Sequence, residues 1–215
     1  MIIYWLLMLP VATISYLLGS MDTLVLSSNF IFRYNLRRLG RGNDWLSNFR
    51  RVYGIKGALI LLLVEAIKDI VPIMIGGVLL GIKGHADVGR AFAGFYIVMG
   101  RLWPVYYRLK GSSAIMPMIF TALFADMSLG VTLALLVVAV VWLTRYLSLA
   151  AIMGALALMA ASFLIMENRL CIYLMIITGA VVLVRHIPNV KKILNGQEIK
   201  YTLREDLTYK LDNKF

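Results

Sequence analysis

Long runs of apolar residues, separated by short charged breaks, occupy most of this chain of 215 residues. A transmembrane helix needs roughly 20 consecutive apolar residues to cross about 30 Å of hydrocarbon. Several runs reach or approach that length, and they cover residues 2–26, 57–80, 91–100, 114–143, 148–166 and 170–184. The pattern therefore predicts an all-α integral membrane protein.

The run 114–143 is too long for one ordinary span. It holds Asp126, Ser128 and Gly130 near its middle, and such a polar break favours two short helices. With that division the chain has seven transmembrane or membrane-embedded helices. We expect a membrane domain over 1–184, followed by a basic polar tail over 185–215.

The distribution of Lys and Arg predicts the orientation. With seven helices, eighteen of these residues fall on one side of the membrane, in loops 33–56 and 101–113, at Arg145 and in the tail, and three fall on the other. Because positive residues accumulate on the cytoplasmic side, we expect the N-terminus outside and the C-terminus in the cytoplasm. Residues 1–20 carry no charge and are predicted to form a retained first helix rather than a cleaved signal.

The composition limits the kinds of binding and metal site that the chain can contain. The chain is 61% hydrophobic, with a mean hydropathy of +0.83 and a formal charge of +11. Since the charges lie between apolar runs, they indicate orientation in the bilayer rather than nucleic-acid binding. One cysteine and two histidines exclude a disulfide framework and make a zinc site unexpected, and we predict no metal and no cofactor.

The first cytoplasmic loop carries a pattern typical of anion binding. Glycines allow backbone N–H groups to approach an anion, and Arg holds phosphate oxygens in a bidentate fork. The alternative is a basic loop that contacts lipid headgroups. The residues concerned are Gly40, Arg41, Gly42, Asn43, Asn48 and Arg51.

Two further segments on the same side are candidates. The second loop starts at Arg101 and places Lys110 and Gly111 just before an apolar helix, whose N-terminus favours an anion. Its alternative is an ordinary N-cap beside an interfacial Trp. The third segment, 186–198, follows the last span, and its alternative is an amphipathic tail helix on the membrane surface.

Three ionisable residues lie within the second span. Glu65, Lys68 and Asp69 share one helical face. Intramembrane ionisable groups are functional candidates by default. We favour the other interpretation, a structural salt bridge inside the bundle.

Taken together, these segments resemble the bacterial acyl-phosphate:glycerol-3-phosphate acyltransferases (the PlsY family) along nearly the whole chain. The order and spacing of five pieces agree with that family's motifs. The pieces are Tyr16-Leu17-Leu18-Gly19-Ser20, the stretch from Gly40 to Arg51, Gly100 to Pro104 with Lys110 to Ala114, Thr144 to Ala150 (TRYLSLA), and His186, Asn189, Gly196 and Glu198. The resemblance implies seven helices with the motif loops on the cytoplasmic side of a bacterial plasma membrane.

The chain departs from the family's pattern in the motif loops. Arg41 replaces a serine, Arg101 a histidine, and Ser113 a lysine, while glycines are lost at Ser112 and Ala114. The new arginines keep the loops cationic, although Lys and Arg differ in geometry.

The resemblance implies acyl transfer from a fatty acyl phosphate to glycerol 3-phosphate, which makes lysophosphatidate for phospholipid biosynthesis. The donor is an activated mixed anhydride, so no covalent enzyme nucleophile is required. The catalytic group implied is Asn48, Asn189, Glu198 and His186, and the phosphate-binding group is Gly40, Arg41, Gly42, Asn43, Arg51, Arg101, Lys110 and Gly111. The implied partners are acyl phosphate, glycerol 3-phosphate or another phosphorylated acceptor, and membrane lipids.

Two other functions stay open at this point. One is a non-catalytic member of the same fold that binds lipid, phosphate or a membrane-protein partner, which the altered second loop favours. The other is a small transporter or channel component. We see no internal repeat and few intramembrane charges, so the sequence favours it least.

Overall fold

The structure, a computed structural model, describes residues 2–23, 26–27 and 45–198, with side chains at 6–23, 26–27 and 54–198. The regular structure with defined bounds in these ranges is helical throughout, as lipid requires of a backbone that must satisfy its own polar groups. The α-helices are α1 Ile2–Ser20, α2 Trp45–Gly81, α3 Ala86–Leu102, α4 Ile115–Ala125, α5 Met127–Thr144, α6 Leu147–Ile165 and α7 Arg169–Leu194, and a 3₁₀ turn lies at Val105–Tyr107.

Three of these helices, α5, α6 and α7, are long and apolar enough to cross a membrane, with mean hydropathies of 2.3, 2.2 and 2.1 over their best windows. The apolar parts of α1 and α4 are shorter. Large apolar side chains point outward, and Trp142 and Leu164 are 80% and 84% exposed. The prediction of an all-α membrane protein is confirmed.

The second helix begins earlier than the sequence pattern predicted. Residues from Trp45 onward, which we had assigned to the loop 33–56, are already helical. Apolar residues recur every three to four positions there, and that spacing suits an amphipathic helix even though charges interrupt it. Gly54 interrupts the helix with φ 67° and ψ −168°, a conformation that glycine adopts without steric cost. The segment 45–53 is thereby set off from the rest of α2.

The long apolar block divides at Asp126, where the polar residues predicted a break. Asp126 is extended, with φ −151° and ψ 124°, and its Oδ1 accepts a hydrogen bond from the Leu129 amide at 2.9 Å. Gly130 packs directly on the backbone of Leu123, so α4 and α5 form a tight helical hairpin.

The last helix is longer than predicted. We had placed the end of the final span near residue 184, but α7 continues to Leu194 through Pro188. It therefore carries His186 and Asn189 on one continuous helix with the span.

Helix α3 lies at the centre and contacts α1, α2, α4 and α7. Small residues allow the close approach: a Cβ at Gly100 would overlap the carbonyl oxygen of Tyr16 in α1, and a Cβ at Gly89 would overlap that of Gly76 in α2. At the far end of the bundle, Asn168 Nδ2 donates to Asp87 Oδ2 at 2.6 Å and ties the α6–α7 turn to the start of α3. The C-terminus of α3 lies at the other end, which we call the motif end.

Candidate active site

The second and third predicted segments meet at the motif end. The Arg185 guanidinium donates through Nη2 to the carbonyl oxygen of Gly111 at 3.3 Å. Gly111 itself packs against the carbonyl oxygens of Arg101 and Leu102, and the Ser112 amide donates to the Arg101 carbonyl at 3.3 Å. The loop after α3 is therefore held between the end of α3 and the distal part of α7.

A connected polar group lies between α6 and α7. Asn189 Nδ2 donates to Ser148 Oγ at 2.8 Å, and Ser148 Oγ donates to Glu198 Oε1. Ser148 is buried, whereas Asn189 and Glu198 are half-buried. Since Asn189 uses its amide nitrogen here, its Oδ1 has no donor among the described residues and can accept one from a bound hydroxyl.

His186 lies one helical turn before Asn189 and is buried. Its Nδ1 is 2.8 Å from the carbonyl oxygen of Val182. A carbonyl oxygen can only accept, so Nδ1 carries the proton, and in the neutral ring Nε2 is the acceptor.

The loop between α3 and α4 exposes its two basic residues, Arg108 and Lys110. The Trp103 carbonyl accepts a hydrogen bond from the Tyr16 hydroxyl at 2.8 Å, which ties the start of the loop to α1. Arg108 and Leu109 follow with positive φ values of 53° and 60°, and the Lys110 side chain is exposed. The loop thus presents Lys110 to the surroundings while its ends are fixed.

We considered that the end of this loop serves as an ordinary N-cap of α4, but no capping side chain is found there among the described residues. Helix α4 has Ala114 at its N-cap position. Ser113 Oγ is buried without a hydrogen-bond partner among the described residues. The first N–H groups of α4 are therefore not used by a capping side chain.

The buried charges of α2 form ion pairs, in keeping with the salt-bridge interpretation. Lys68 Nζ lies 3.4 Å from Glu65 Oε1 and 3.3 Å from Asp69 Oδ1. Arg101, which the sequence predicted as a phosphate ligand, belongs to this cluster of ion pairs. Its Nη2 lies 3.1 Å from Glu65 Oε1, and both side chains are buried.

The side chains of several predicted site residues are not among those that the structure describes. Gly40, Arg41, Gly42 and Asn43 lie outside the described residues. Asn48 and Arg51 belong to the first part of α2, where the backbone alone is described. Their roles stay predictions.

Sequence reasoning missed two residues that the structure brings to this site. Ser148 links Asn189 to Glu198, and Arg185 holds Gly111. The signal for Ser148 was present, because it belongs to the TRYLSLA segment; Arg185 was counted only as a tail charge. Among the described residues no group of three or more His, Cys, Asp and Glu side chains could hold a metal ion.

The fold and this site define a class: a multi-pass membrane protein that gathers a basic loop, an amide, a hydroxyl and a carboxylate at one end. Comparison with known proteins identifies the family. The family model for glycerol-3-phosphate acyltransferase matches residues 9–196. The chain belongs to the glycerol-3-phosphate acyltransferase family.

Individual relatives agree with this assignment. A glycerol-3-phosphate acyltransferase of Neisseria meningitidis serogroup A (strain Z2491) is 30% identical over 197 residues, which cover 89% of this chain and 96% of that one. A glycerol-3-phosphate acyltransferase of Thermoanaerobacter pseudethanolicus is 26% identical over 189 residues, which cover 88% of this chain and 93% of that one.

Two crystal structures of PlsY (YgiH), an integral membrane glycerol 3-phosphate acyltransferase, share the fold. The glycerol 3-phosphate form has a TM-score of 0.72 at 22% identity, and the match covers 97% of this chain and 98% of that one. The lysophosphatidic acid form has a TM-score of 0.73 at 21% identity, covering 93% and 98%.

The Ser148 link generates a prediction. Ser148→Ala removes both hydrogen bonds of the hydroxyl and releases Asn189 from Glu198, so the amide loses its fixed orientation. We expect acyl-transfer kcat to fall about 10- to 100-fold, which corresponds to the loss of one or two hydrogen bonds that position a reacting group.

A matched control lies on the same helix. Ser162→Ala removes a buried hydroxyl whose one hydrogen bond among the described residues goes to the Met159 carbonyl, at 3.0 Å. We expect kcat of that variant to stay within about twofold of wild type. Equal losses in the two variants would contradict a role for the Ser148 link.

Proposed function

We propose that the protein transfers a fatty acyl group from acyl phosphate to a hydroxyl of glycerol 3-phosphate, which yields lysophosphatidate and inorganic phosphate. The observation that carries this proposal is the Asn189–Ser148–Glu198 group at the motif end. It joins α6 to α7, the helix whose Arg185 holds the Lys110 loop. The names of the two PlsY structures specify glycerol 3-phosphate and lysophosphatidic acid, the acceptor and the product of this reaction.

The reaction suits a site without a covalent nucleophile. An acyl phosphate is a mixed anhydride, so its carbonyl is already activated. The acceptor hydroxyl oxygen forms the new ester bond, and the bond from the carbonyl carbon to the phosphate oxygen breaks. Phosphate leaves with the electron pair and takes up the proton that the hydroxyl loses. The protein has to align two phosphorylated reactants and stabilise the developing oxyanion.

The polar group between α6 and α7 positions the acceptor. Asn189 Oδ1 accepts from the attacking hydroxyl, and Ser148 and Glu198 hold the amide in place. His186, one turn away, offers Nε2 beside it. Asn48 completes this group on our proposal.

The cationic loops hold the phosphates. Lys110 supplies a charge, and Gly111 with the uncapped N-terminus of α4 supplies backbone N–H groups. From the first loop we propose Gly40, Arg41, Gly42, Asn43 and Arg51 as further phosphate ligands.

We propose that the chain crosses the plasma membrane with seven membrane-embedded helices, the N-terminus outside, and the motif loops and the 185–215 tail in the cytoplasm. The asymmetry of eighteen Lys and Arg residues against three supports this orientation. Cytoplasmic placement of the motif end gives the site access to soluble glycerol 3-phosphate.

Single-cysteine variants test this topology. In a Cys171→Ala background, a cysteine at Lys83 should react with an impermeant maleimide in intact cells, and one at Lys200 should react only after lysis. The reverse labelling would overturn the orientation.

An assay of the purified protein tests the reaction. With palmitoyl phosphate and glycerol 3-phosphate we expect release of inorganic phosphate together with formation of lysophosphatidate. Omitting glycerol 3-phosphate should abolish both. A folded wild-type protein that forms no lysophosphatidate from any acyl phosphate would contradict the proposal.

The phosphate ligands are tested by removing their charge. Lys110→Ala and Arg51→Ala should each lower kcat/KM roughly 10- to 150-fold, because a charge-assisted hydrogen bond to phosphate is worth about 1.5–3 kcal/mol. Lys83→Ala, which removes an exposed Lys far from the motif end, is the control and should leave kcat/KM unchanged. Wild-type turnover in Lys110→Ala or Arg51→Ala would remove that residue from the site.

A further inference from the structure

Four charged side chains are buried together between α2 and the end of α3. Glu65 and Asp69 are fully buried, and the side chains of Lys68 and Arg101 are 6% and 5% exposed. Two of the four are acidic and two basic, so their formal charges cancel. Such charges are costly within a membrane and are retained where they serve a purpose.

The Lys68 ammonium group lies between the carboxylates of Glu65 and Asp69. Lys68 Nζ already contacts Glu65 Oε1, Asp69 Oδ1 and, at 3.4 Å, the carbonyl oxygen of Met21. Those oxygens are the ligands that a monovalent cation would take. The ammonium group of Lys68 therefore occupies that position.

Arg101 connects this buried cluster to the active-site loop. Its guanidinium pairs with Glu65, while its backbone carbonyl accepts the Ser112 amide and packs against Gly111. Gly111 in turn accepts from Arg185 on α7. A continuous chain of contacts thus runs from Glu65 inside the bundle to the loop that carries Lys110.

The permanent charge of Arg101 calls for a nearby anion. A guanidinium stays charged under all ordinary conditions. A buried charge is costly unless it is paired, and Glu65 Oε1 lies 3.1 Å from Arg101 Nη2.

We propose that Glu65 is a positioning residue for acyl transfer: its carboxylate fixes Arg101, and Arg101 fixes the Lys110–Ser112 segment against α7. This inference rests on the proposed function in so far as the loop binds a substrate phosphate. The contact chain itself can be tested without turnover.

The test compares Glu65→Gln with wild type in two measurements on the full-length protein in detergent. The amide keeps the shape of the side chain but removes the anion, so Arg101 should shift and loosen the loop. We expect trypsin to cleave after Arg108 or Lys110 at least about tenfold faster, because cleavage of a loop follows its open population. We also expect KM for palmitoyl phosphate or glycerol 3-phosphate to rise about tenfold, with a smaller change in kcat.

Asp69→Asn is the matched control. Asp69 is equally buried and pairs with Lys68 at 3.3 Å; its charge also acts on Arg101, whereas Glu65 contacts the Arg101 guanidinium directly at 3.1 Å. We expect a lower melting temperature in this variant, with trypsin cleavage of the loop and KM close to wild type. If Asp69→Asn raised the rate of loop cleavage and KM as much as Glu65→Gln does, loss of any buried charge would have the same effect. That result would overturn the assignment to Glu65.

A double variant tests whether Glu65 acts through Arg101. If it does, the double variant Glu65→Gln/Arg101→Gln should have the same rate of loop cleavage and the same KM as Arg101→Gln alone, because the charge that needed an anion has gone. Additive losses would overturn the proposal. If Glu65→Gln fails to fold, Arg101→Lys gives the same test, since it keeps the charge but shortens the reach to Glu65. An unchanged rate of loop cleavage in Arg101→Lys would then contradict the proposal.

The two measurements also separate the possible failures. A rise in KM for Glu65→Gln without faster loop cleavage would make Arg101 a direct phosphate ligand and would refute the positioning role. Wild-type protein inactive with both substrates would refute the proposed function alone. Faster loop cleavage in Glu65→Gln than in Asp69→Asn would even then support the link from Glu65 to the loop.

Discussion

Gly100 of α3 lies so close to α1 that a methyl group there would overlap the carbonyl oxygen of Tyr16, and Gly89 meets Gly76 of α2 in the same way. Lipid gives apolar helices no hydrophobic reason to associate, so close packing of small residues has to supply the attraction. This packing fixes α3 between four neighbours. The depth and rotation of α3 then determine where Arg101 and the loop after it lie.

The chemistry at the motif end follows from that placement. The loop is tied at one end to α1 through Tyr16 and at the other to α7 through Gly111 and Arg185. Helix α7 continues past its apolar part and carries His186 and Asn189, while α6 contributes Ser148. A reaction of an activated acyl phosphate requires alignment more than a nucleophile, and rigid helices provide it.

The buried charges show how a permanent charge is accommodated inside the bundle. Arg101 is buried there, and Glu65 pairs with it at 3.1 Å. Removal of either partner leaves the cluster of four charged side chains out of balance, and an unbalanced buried charge costs more than the pair contributes to stability. The two positions are therefore coupled, and a motif read residue by residue does not reveal that coupling.

The sequence by itself determined the membrane class, the division of the long apolar block at Asp126 and the family, because hydropathy, polar breaks and motif spacing are local properties of the chain. It misplaced the start of α2 and the end of α7, since charged residues at a membrane surface can be helical as well as looped. Only the tertiary structure decided that Ser148 joins Asn189 and Glu198, which lie 41 and 50 residues further along, and that Arg101 turns inward to Glu65. Those contacts depend on the rotation and depth at which packed helices meet, and no single helix encodes these in its own periodicity.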